Sequence, residues 1–501
     1  MKIAGLDIGT TGCKCTVFDE QGRYLDKAYR DYPVKRAVGA HEMDVSVMLD
    51  GVYAVIQQMA EKYTDIAGIG VTSFGETFVC TDEKGNPLHL SMLYTDPRGT
   101  KEYQELIEKL GEKEIARITG LRPHEMYSIA KIMWIKKNEP NIYASTRHIF
   151  QMEDFVVYHL TGKAQIDYSL ASRSMAFDIE KLCWSQEILE AAGVEKTLLS
   201  EPVPTGTIAG CVTDLAQEKT GLKADTKVIS ISHDQVAAAI GSGAFDSDIA
   251  VDGAGTVECL EPIFNGMPNL EAMYRGYFSI VPYVVPGKYV TYAFSYTGGA
   301  LLEWCINALA KKEKDLAKEK GMSINDYLEQ EYISAHGDAD TLSGLLVLPH
   351  FSGAATPYMD TGSKGAILGL MTATTTADIY RGCMEAVVYE MYLNMEAVLA
   401  SGANFKKIHA TGGGAHSALW MQMKADVLNV PMVALKTVDA GTVGSAMLTG
   451  IALGLFQDLR DAAVHMVEET VTYEPRAYMH EKYMEVYEKY KQLYHAIRPL
   501  V

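Results

Sequence analysis

The sequence contains no paired-cysteine motif, no histidine cluster and no long apolar run, and each absence removes a class of protein. Its eight cysteines (Cys13, Cys15, Cys80, Cys183, Cys211, Cys259, Cys305 and Cys383) lie mostly within apolar stretches, with no CxxC pair and no histidine at zinc-ligand spacing. They read as reduced core residues. No uninterrupted apolar run is long enough to span a bilayer, and the N-terminus enters a strand without a basic-then-apolar leader. A cytoplasmic protein with no membrane partner is expected. Positive charge is also in short supply. With a formal net charge of −19 and scattered Lys and Arg, the chain offers no basic face to nucleic acid or an anionic membrane. An anionic ligand would need locally built pockets.

What is present is an ordinary globular composition, 48% hydrophobic and 22% charged, in 501 residues. That length exceeds what one core usually serves, so two domains of about 250 residues each are expected. The chain is organised around its first turn, Leu6-Asp7-Ile8-Gly9-Thr10-Thr11-Gly12, which reads as strand, glycine-opened turn and returning strand. The glycines let backbone N–H groups approach an anion, Thr10 and Thr11 add hydroxyl donors, and Asp7 can organise a hydrated divalent cation. A plain hairpin turn rich in Gly and Thr is the competing reading.

A third strand at 24–29, a helix at 45–63 and a strand at 66–72 complete an α/β unit. Glu76 follows that strand's carboxyl end, where open α/β sheets place ligands. Asp96 and Arg98, either side of Pro97, form a polar loop or an edge that accepts from and donates to hydroxyls. Residues 101–138 are patterned as amphipathic helix, with 126–135 as core packing; 166–177 is strand-like or irregular. The run 227–235 is a buried strand ending in His233-Asp234-Gln235, ahead of a small-residue helix. Asp234 there is either the helix N-cap or a base for a bound hydroxyl.

Past a connector at 241–245, residues 249–260 repeat the opening design of apolar strand, Asp252, Gly253–Thr256 turn and returning strand. Two halves that each begin with a phosphate cradle imply a duplicated fold, 1–245 and 246–501, facing itself across a cleft with nucleotide between. In the second half Gly298-Gly299 precede an amphipathic helix, 311–340 is a charged, solvated helical excursion, and Thr376 caps a long helix stopped by Gly402. Gly412-Gly413-Gly414, between a strand and a helix, leave bare backbone for a flat ring or ribose and helix N–H groups for phosphate. A small-residue helix from Asp439 is expected to pack closely behind the sheet.

These pieces, in this order, resemble the FGGY carbohydrate kinase family of the actin-like ATPase superfamily over nearly the whole chain. Met126–Asn138 is similar to the family's first signature, with Lys131 and Trp134 in the expected places. Gly365–Glu385 is similar to the second, with Gly382 where Ala or Ser is usual. The resemblance implies an α/β fold of two ribonuclease-H-like domains flanking a central cleft, with ATP and Mg2+ as cofactors. The sugar-binding side falls in 1–245 and the nucleotide-binding side in 246–501. By matching motif, Thr10, Thr11, Lys14 (Arg in many members), Gly255 and Thr256 contact phosphates. Gly298, Gly299, Gly413, Gly414 and Ser417 contact the adenosine side, Asp7 holds magnesium through water, and Asp234 is the general base. Glu76, Asp96, Arg98 and Gln235 touch substrate hydroxyls.

Glycerol-specific members carry Asn-Gln-Arg-Glu, and xylulose kinases Gln-Met-His-Gly, where this chain has Ser73-Phe74-Gly75-Glu76; Tyr94 replaces a usual Trp. The activity implied is ATP-dependent phosphorylation of a small sugar, a ketose such as a xylulose-like pentulose, or a sugar alcohol. The alternative is a nucleotide-binding switch or sugar-sensing protein of the same superfamily without kinase activity, disfavoured by Asp234-Gln235 and the signatures. Many members self-associate, which leaves a homodimer open, although no stretch marks an interface.

Overall fold

The computed structural model describes residues 1–437 and 439–501. Two six-stranded sheets carry the molecule. The first contains β1 (Lys2–Ile8), β2 (Gly12–Asp19), β3 (Tyr24–Asp31), β4 (Ile66–Ser73), β5 (Thr207–Cys211) and β6 (Lys227–His233), in the order β3-β2-β1-β4-β6-β5. The second contains β7 (Ile249–Ala254), β8 (Glu258–Glu261), β9 (Ala293–Ser295), β10 (Lys407–Thr411), β11 (Met432–Leu435) and β12 (Glu469–Tyr473), in the order β9-β8-β7-β10-β11-β12. Each sheet is an antiparallel meander joined to two parallel pairings and closed by an antiparallel edge strand. The repeat read at residues 249–260 is thus a repeated sheet, and the fold is two ribonuclease-H-like domains on either side of a cleft.

The helices that matter for the site are α1 (Val45–Lys62), α2 (Ser128–Asn138), α3 (Asp234–Gly241), α4 (Gly299–Leu309), α5 (Thr376–Ala400), α6 (Ala418–Leu428) and α7 (Ala440–Ala452). Because side chains alternate along a strand, β1 serves two layers. Ala4, Leu6 and Ile8 join the cluster packed by Val45, Met48 and Val52 of α1. Ile3 joins Val443, Ala446 and Met447 of α7 on the other face. The expected small-residue helix does pack tightly, but on the first sheet: Ser445 Oγ donates to the Gly70 carbonyl at 2.8 Å.

α3 and α7 follow equivalent strands, β6 and β11, and cross at Gly241 and Gly444. A Cβ on Gly241 would overlap the Ala440 carbonyl oxygen, and one on Gly444 the Ala237 carbonyl oxygen. Glycine is required there because nothing larger lets two backbones approach so closely.

Several local expectations need correction. The helical stretch 101–138 is three helices, broken where Gly111 and Gly120 take φ of 84° and 70°, which ends each preceding helix in the left-handed region. Met126 and Tyr127, expected within a core helix, precede α2. The cap of α5 is Thr375, not Thr376; Thr375 and Asp378 form a reciprocal capping box. Among the described residues every cysteine is free, but Cys183 is half-buried and Cys211 exposed on the edge strand β5, so these two are not core residues. Among the described residues no helix is long and apolar enough to cross a membrane.

Candidate active site

The ends of β1, β4 and β6 deliver Thr10, Glu76 and Asp234 to one cavity of about 240 Å³, whose lining also includes Gln235 and, from the second domain, Val257, Tyr292 and Phe294. Strands of one sheet end together, so residues far apart in sequence meet at the carboxyl edge.

Asp234 is the first residue of α3. Its Oδ1 accepts the adjacent Gln235 N–H at 2.7 Å and makes no cap bond to the following turn, so the N-cap reading does not hold. His233 Nε2 lies 3.2 Å from the same oxygen, and the Asp234 side chain remains 29% exposed. Burial above all, then the negative charges of Asp7 and Glu76, push its carboxyl up to about 8 against the opposing pull of the Gln235 N–H and Lys14.

Glu76 occupies the left-handed region, with φ of 65°, uncommon for a non-glycine residue and typical of sites where surrounding structure enforces it. Ser128 Oγ, at the start of α2, donates to the Glu76 carbonyl at 2.8 Å. The Glu76 carboxylate accepts from Arg173 Nε at 2.7 Å and Nη2 at 2.5 Å, both residues being buried. The guanidinium lies 5.4 Å from the Tyr127 ring and 5.5 Å from the Tyr292 ring. A Cβ on Gly75 would sit 3.0 Å from both Arg173 Cγ and His233 Cδ2, so a larger residue would have to push one of them aside. Sequence reasoning missed Arg173, Tyr127 and Tyr292. Arg173 had one signal: it is the sole charge in the run 168–177.

Asp96 and Arg98 sit apart from this cavity. Asp96 is fully buried and accepts from the His41 N–H at 2.7 Å and from Arg98 Nε and Nη2 at 2.9 and 2.7 Å. It lines an adjoining cavity of about 330 Å³ that shares Tyr94, Met126, Phe294 and Met359 with the first. Arg98 lines neither; its guanidinium also holds Glu42 at 2.7 Å and lies 5.1 Å from the Trp134 ring. Lys131 is buried behind them and donates to the Glu125 carbonyl, and burial pushes its ammonium down to about 8.

At the first glycine turn, the Gly9 N–H to Gly12 carbonyl bond of 2.9 Å closes the loop that presents Thr10 and Thr11. Lys14 Nζ bridges Asp7 Oδ2 at 3.0 Å and Asp439 Oδ2 at 2.6 Å. Two carboxylates therefore meet here, Asp7 and Asp439, and one or two suit magnesium, which usually keeps several waters and takes phosphate oxygens as further ligands. The second cradle is tied to α4: Gly299 N–H donates to the Gly255 carbonyl at 2.9 Å and Gly298 N–H to that of Thr256 at 3.0 Å. Beneath it, buried Lys424 joins Asp252 at 2.6 Å and Glu258. Gly413 has open space where a side chain would stand, and Gly414 packs against Trp420. The triple glycine leads into a short 3-10 turn, Gly413–His416, before α6; Ser417 Oγ then caps α6, accepting the Trp420 N–H at 3.2 Å. None of Gly298, Gly299, Gly413, Gly414 and Ser417 lines the 240 Å³ cavity.

Duplicated six-stranded sheets, with a cavity lined from both halves and a carboxylate on its wall, are the architecture of the actin-like ATPase fold. The chain belongs to the FGGY family of carbohydrate kinases: the N-terminal domain of that family matches residues 2–241 and the C-terminal domain residues 272–453. It is a sugar or polyol kinase, and ATP as phosphoryl donor follows from the family. A xylulose kinase of Lactococcus lactis is 26% identical over 504 residues, covering 98% of this chain and 96% of its own length. A glycerol kinase of Halorhodospira halophila is 28% identical over 490 residues, 94% of this chain and 92% of its own. The ligand-bound xylulose kinase of Lactobacillus acidophilus superposes with a TM-score of 0.88 at 23% identity, covering 99% of this chain and 98% of its own.

Proposed function

We propose that the protein transfers the γ-phosphoryl group of ATP to a hydroxyl of a small ketose, such as a pentulose, or of a sugar alcohol, with Asp234 as general base. The observation that carries this reading is the Asp234 carboxylate itself: unused as a cap, partly open to the 240 Å³ cavity, and on the same wall as Thr10. Asp234 takes the hydroxyl proton, the hydroxyl oxygen forms the new bond to the γ-phosphorus, and the bond to the β,γ-bridging oxygen breaks to leave ADP. Thr10, Thr11 and Lys14 hold the phosphates from the first domain, and Gly255 and Thr256 from the second. Gly298, Gly299, Gly413, Gly414 and Ser417 take the adenosine side. Asp7 holds magnesium, which neutralises phosphate charge when bound. The junction between the two functional halves lies near residue 245.

The substrate reading rests on the cavity wall. Gly75 stands where glycerol-specific members carry Arg, and here Arg173 and His233, each 3.0 Å from where a Cβ would stand, occupy the space beside it. Glu76 stands where xylulose kinases carry Gly. Glu76 and Gln235 bind hydroxyls directly, and Asp96, braced by Arg98, serves the far end of a longer substrate from the adjoining cavity. A volume of about 240 Å³ falls below the roughly 300–1,000 Å³ of drug-sized sites, as suits a small sugar.

The test is sugar-stimulated ADP release with magnesium and ATP across ketopentoses, ketohexoses, deoxysugars and polyols, with Asp234→Asn as control. One strong responder that the variant loses supports the reading. Silence across the panel with ATP still bound refutes this substrate class.

A further inference from the structure

We propose that His233 is a positioning residue for the Asp234 carboxylate, and that Tyr292, reaching across the cleft from the second domain, holds His233 in the tautomer that does this. The inference rests on Asp234 being the base.

His233 closes β6, and its backbone N–H donates to Ser169 Oγ at 3.0 Å, which fixes where the imidazole starts. Its ring has two polar neighbours. Nε2 lies 3.2 Å from Asp234 Oδ1, and Nδ1 lies 3.1 Å from the Tyr292 hydroxyl. A neutral imidazole has one donor and one acceptor nitrogen, and an ionised carboxylate only accepts. With Asp234 in its ionised, working form the proton therefore sits on Nε2 and is donated to Asp234, while Nδ1 accepts from the Tyr292 O–H. The chain Tyr292–His233–Asp234 has one consistent direction of donation.

The surroundings keep the imidazole neutral. His233 is buried, and the Arg173 guanidinium stands beside it; both effects pull its pKa well below the ordinary histidine value. Asp234 also faces Asp7, Glu76 and Lys14. Tyr292 also faces Arg173, Glu261 and Cys259, and burial holds its phenol protonated. A neutral donor orients a carboxylate without lowering its basicity as much as a full charge would. Because Tyr292 precedes β9 and His233 ends β6, the chain spans both domains. The base is therefore fully oriented only when the domains approach as they do here.

Full-length Tyr292→Phe, His233→Leu and His233→Gln are compared with Asp234→Asn and the unaltered protein on an accepted sugar. Tyr292→Phe keeps the ring beside Arg173 and removes only the hydroxyl; His233→Gln keeps a donor near Nε2. Tyr292→Phe and His233→Leu should lower kcat by about 10- to 100-fold, as losing an orienting partner does elsewhere. The KM for ATP should stay constant, and the acidic limb of the kcat/KM profile should move to higher pH. His233→Gln should recover most of the loss. Unchanged kcat and pH profile in Tyr292→Phe and His233→Leu, with Asp234→Asn inactive, overturns the positioning role and leaves the base intact. An active Asp234→Asn overturns the base itself. Nitrogen NMR of histidine-labelled protein needs no sugar: above about pH 8, where the Asp234 carboxyl is ionised, the His233 signal should report the neutral Nε2–H tautomer, and a tautomer mixture in Tyr292→Phe. A neutral Nδ1–H tautomer there in the unaltered protein refutes the proposal.

Discussion

A carboxylate earns its chemistry from its surroundings, and Asp234 differs from the other acids of the cleft in being partly open and uncommitted to a cation. Asp234→Asn keeps the shape and removes the proposed base, so turnover should fall by about 10²- to 10⁴-fold while calorimetric ATP affinity stays unchanged. The pH dependence follows from its ionisation. The working form is the carboxylate, and with a pKa of about 8 only about a tenth of it is ionised at pH 7. The value of kcat/KM should therefore climb as pH rises towards and past 8, the reverse of the fall expected for a group that works in its protonated form. Glu76→Gln removes a charge from the buried pair with Arg173 and should raise the sugar KM, or change sugar preference, while leaving the KM for ATP alone. Kinetics on each accepted sugar decide it; identical constants reduce Glu76 to a loop residue. Thr10, Glu76, Asp234 and Gln235 were legible because each stands at the end of a readable strand or turn. Arg173 was not, since it lies in a stretch with no periodicity and acquires its meaning from Glu76, 97 positions away.

At the scale of the element, apolar periodicity placed the strands and long helices, and glycines at left-handed φ ended them. Caps were less legible: adjacent threonines at 375 and 376 offer the same hydroxyl, and only the reach of Asp378 back to Thr375 chooses between them. Thr375→Ala should cost about 1 kcal/mol, read as a lowered midpoint in denaturant unfolding, whereas Thr376→Ala should cost less. At the α3–α7 crossing the two backbones approach too closely for a side chain at either glycine. Gly444→Val forces a side chain into the Ala237 backbone and should destabilise the protein by about 1–3 kcal/mol or more, the range for overpacking. Differential scanning calorimetry measures it, and an unshifted melting temperature would mean the helices separate freely.

The whole molecule is a duplication, and its cavity belongs to both copies. Glu76 and Asp234 come from one domain and Val257, Tyr292 and Phe294 from the other. A ligand filling the space would touch both, and in enzymes that must exclude water from a reactive phosphoryl group such contact drives domain closure. Adding an accepted sugar with a nonhydrolysable ATP analogue should reduce the radius of gyration in small-angle X-ray scattering. No change would mean that the cleft is already at its working width.

By itself the sequence determined the two-fold repeat, the cradles at residues 7–12 and 253–256, the strand ending in His233-Asp234-Gln235 and the class of fold. These are local patterns of polarity and glycine that depend only on neighbours a few residues away. Tertiary structure alone decided that α7 of the second half lies on the first sheet, that Arg98 turns to Asp96 and Glu42, that Arg173 neutralises Glu76, and that Tyr292 reaches His233 across the cleft. Each of those pairings depends on where a strand end or a helix face arrives in space. A chain's local periodicity sets what each element is, but it carries no information about which partner waits on the far side of a fold.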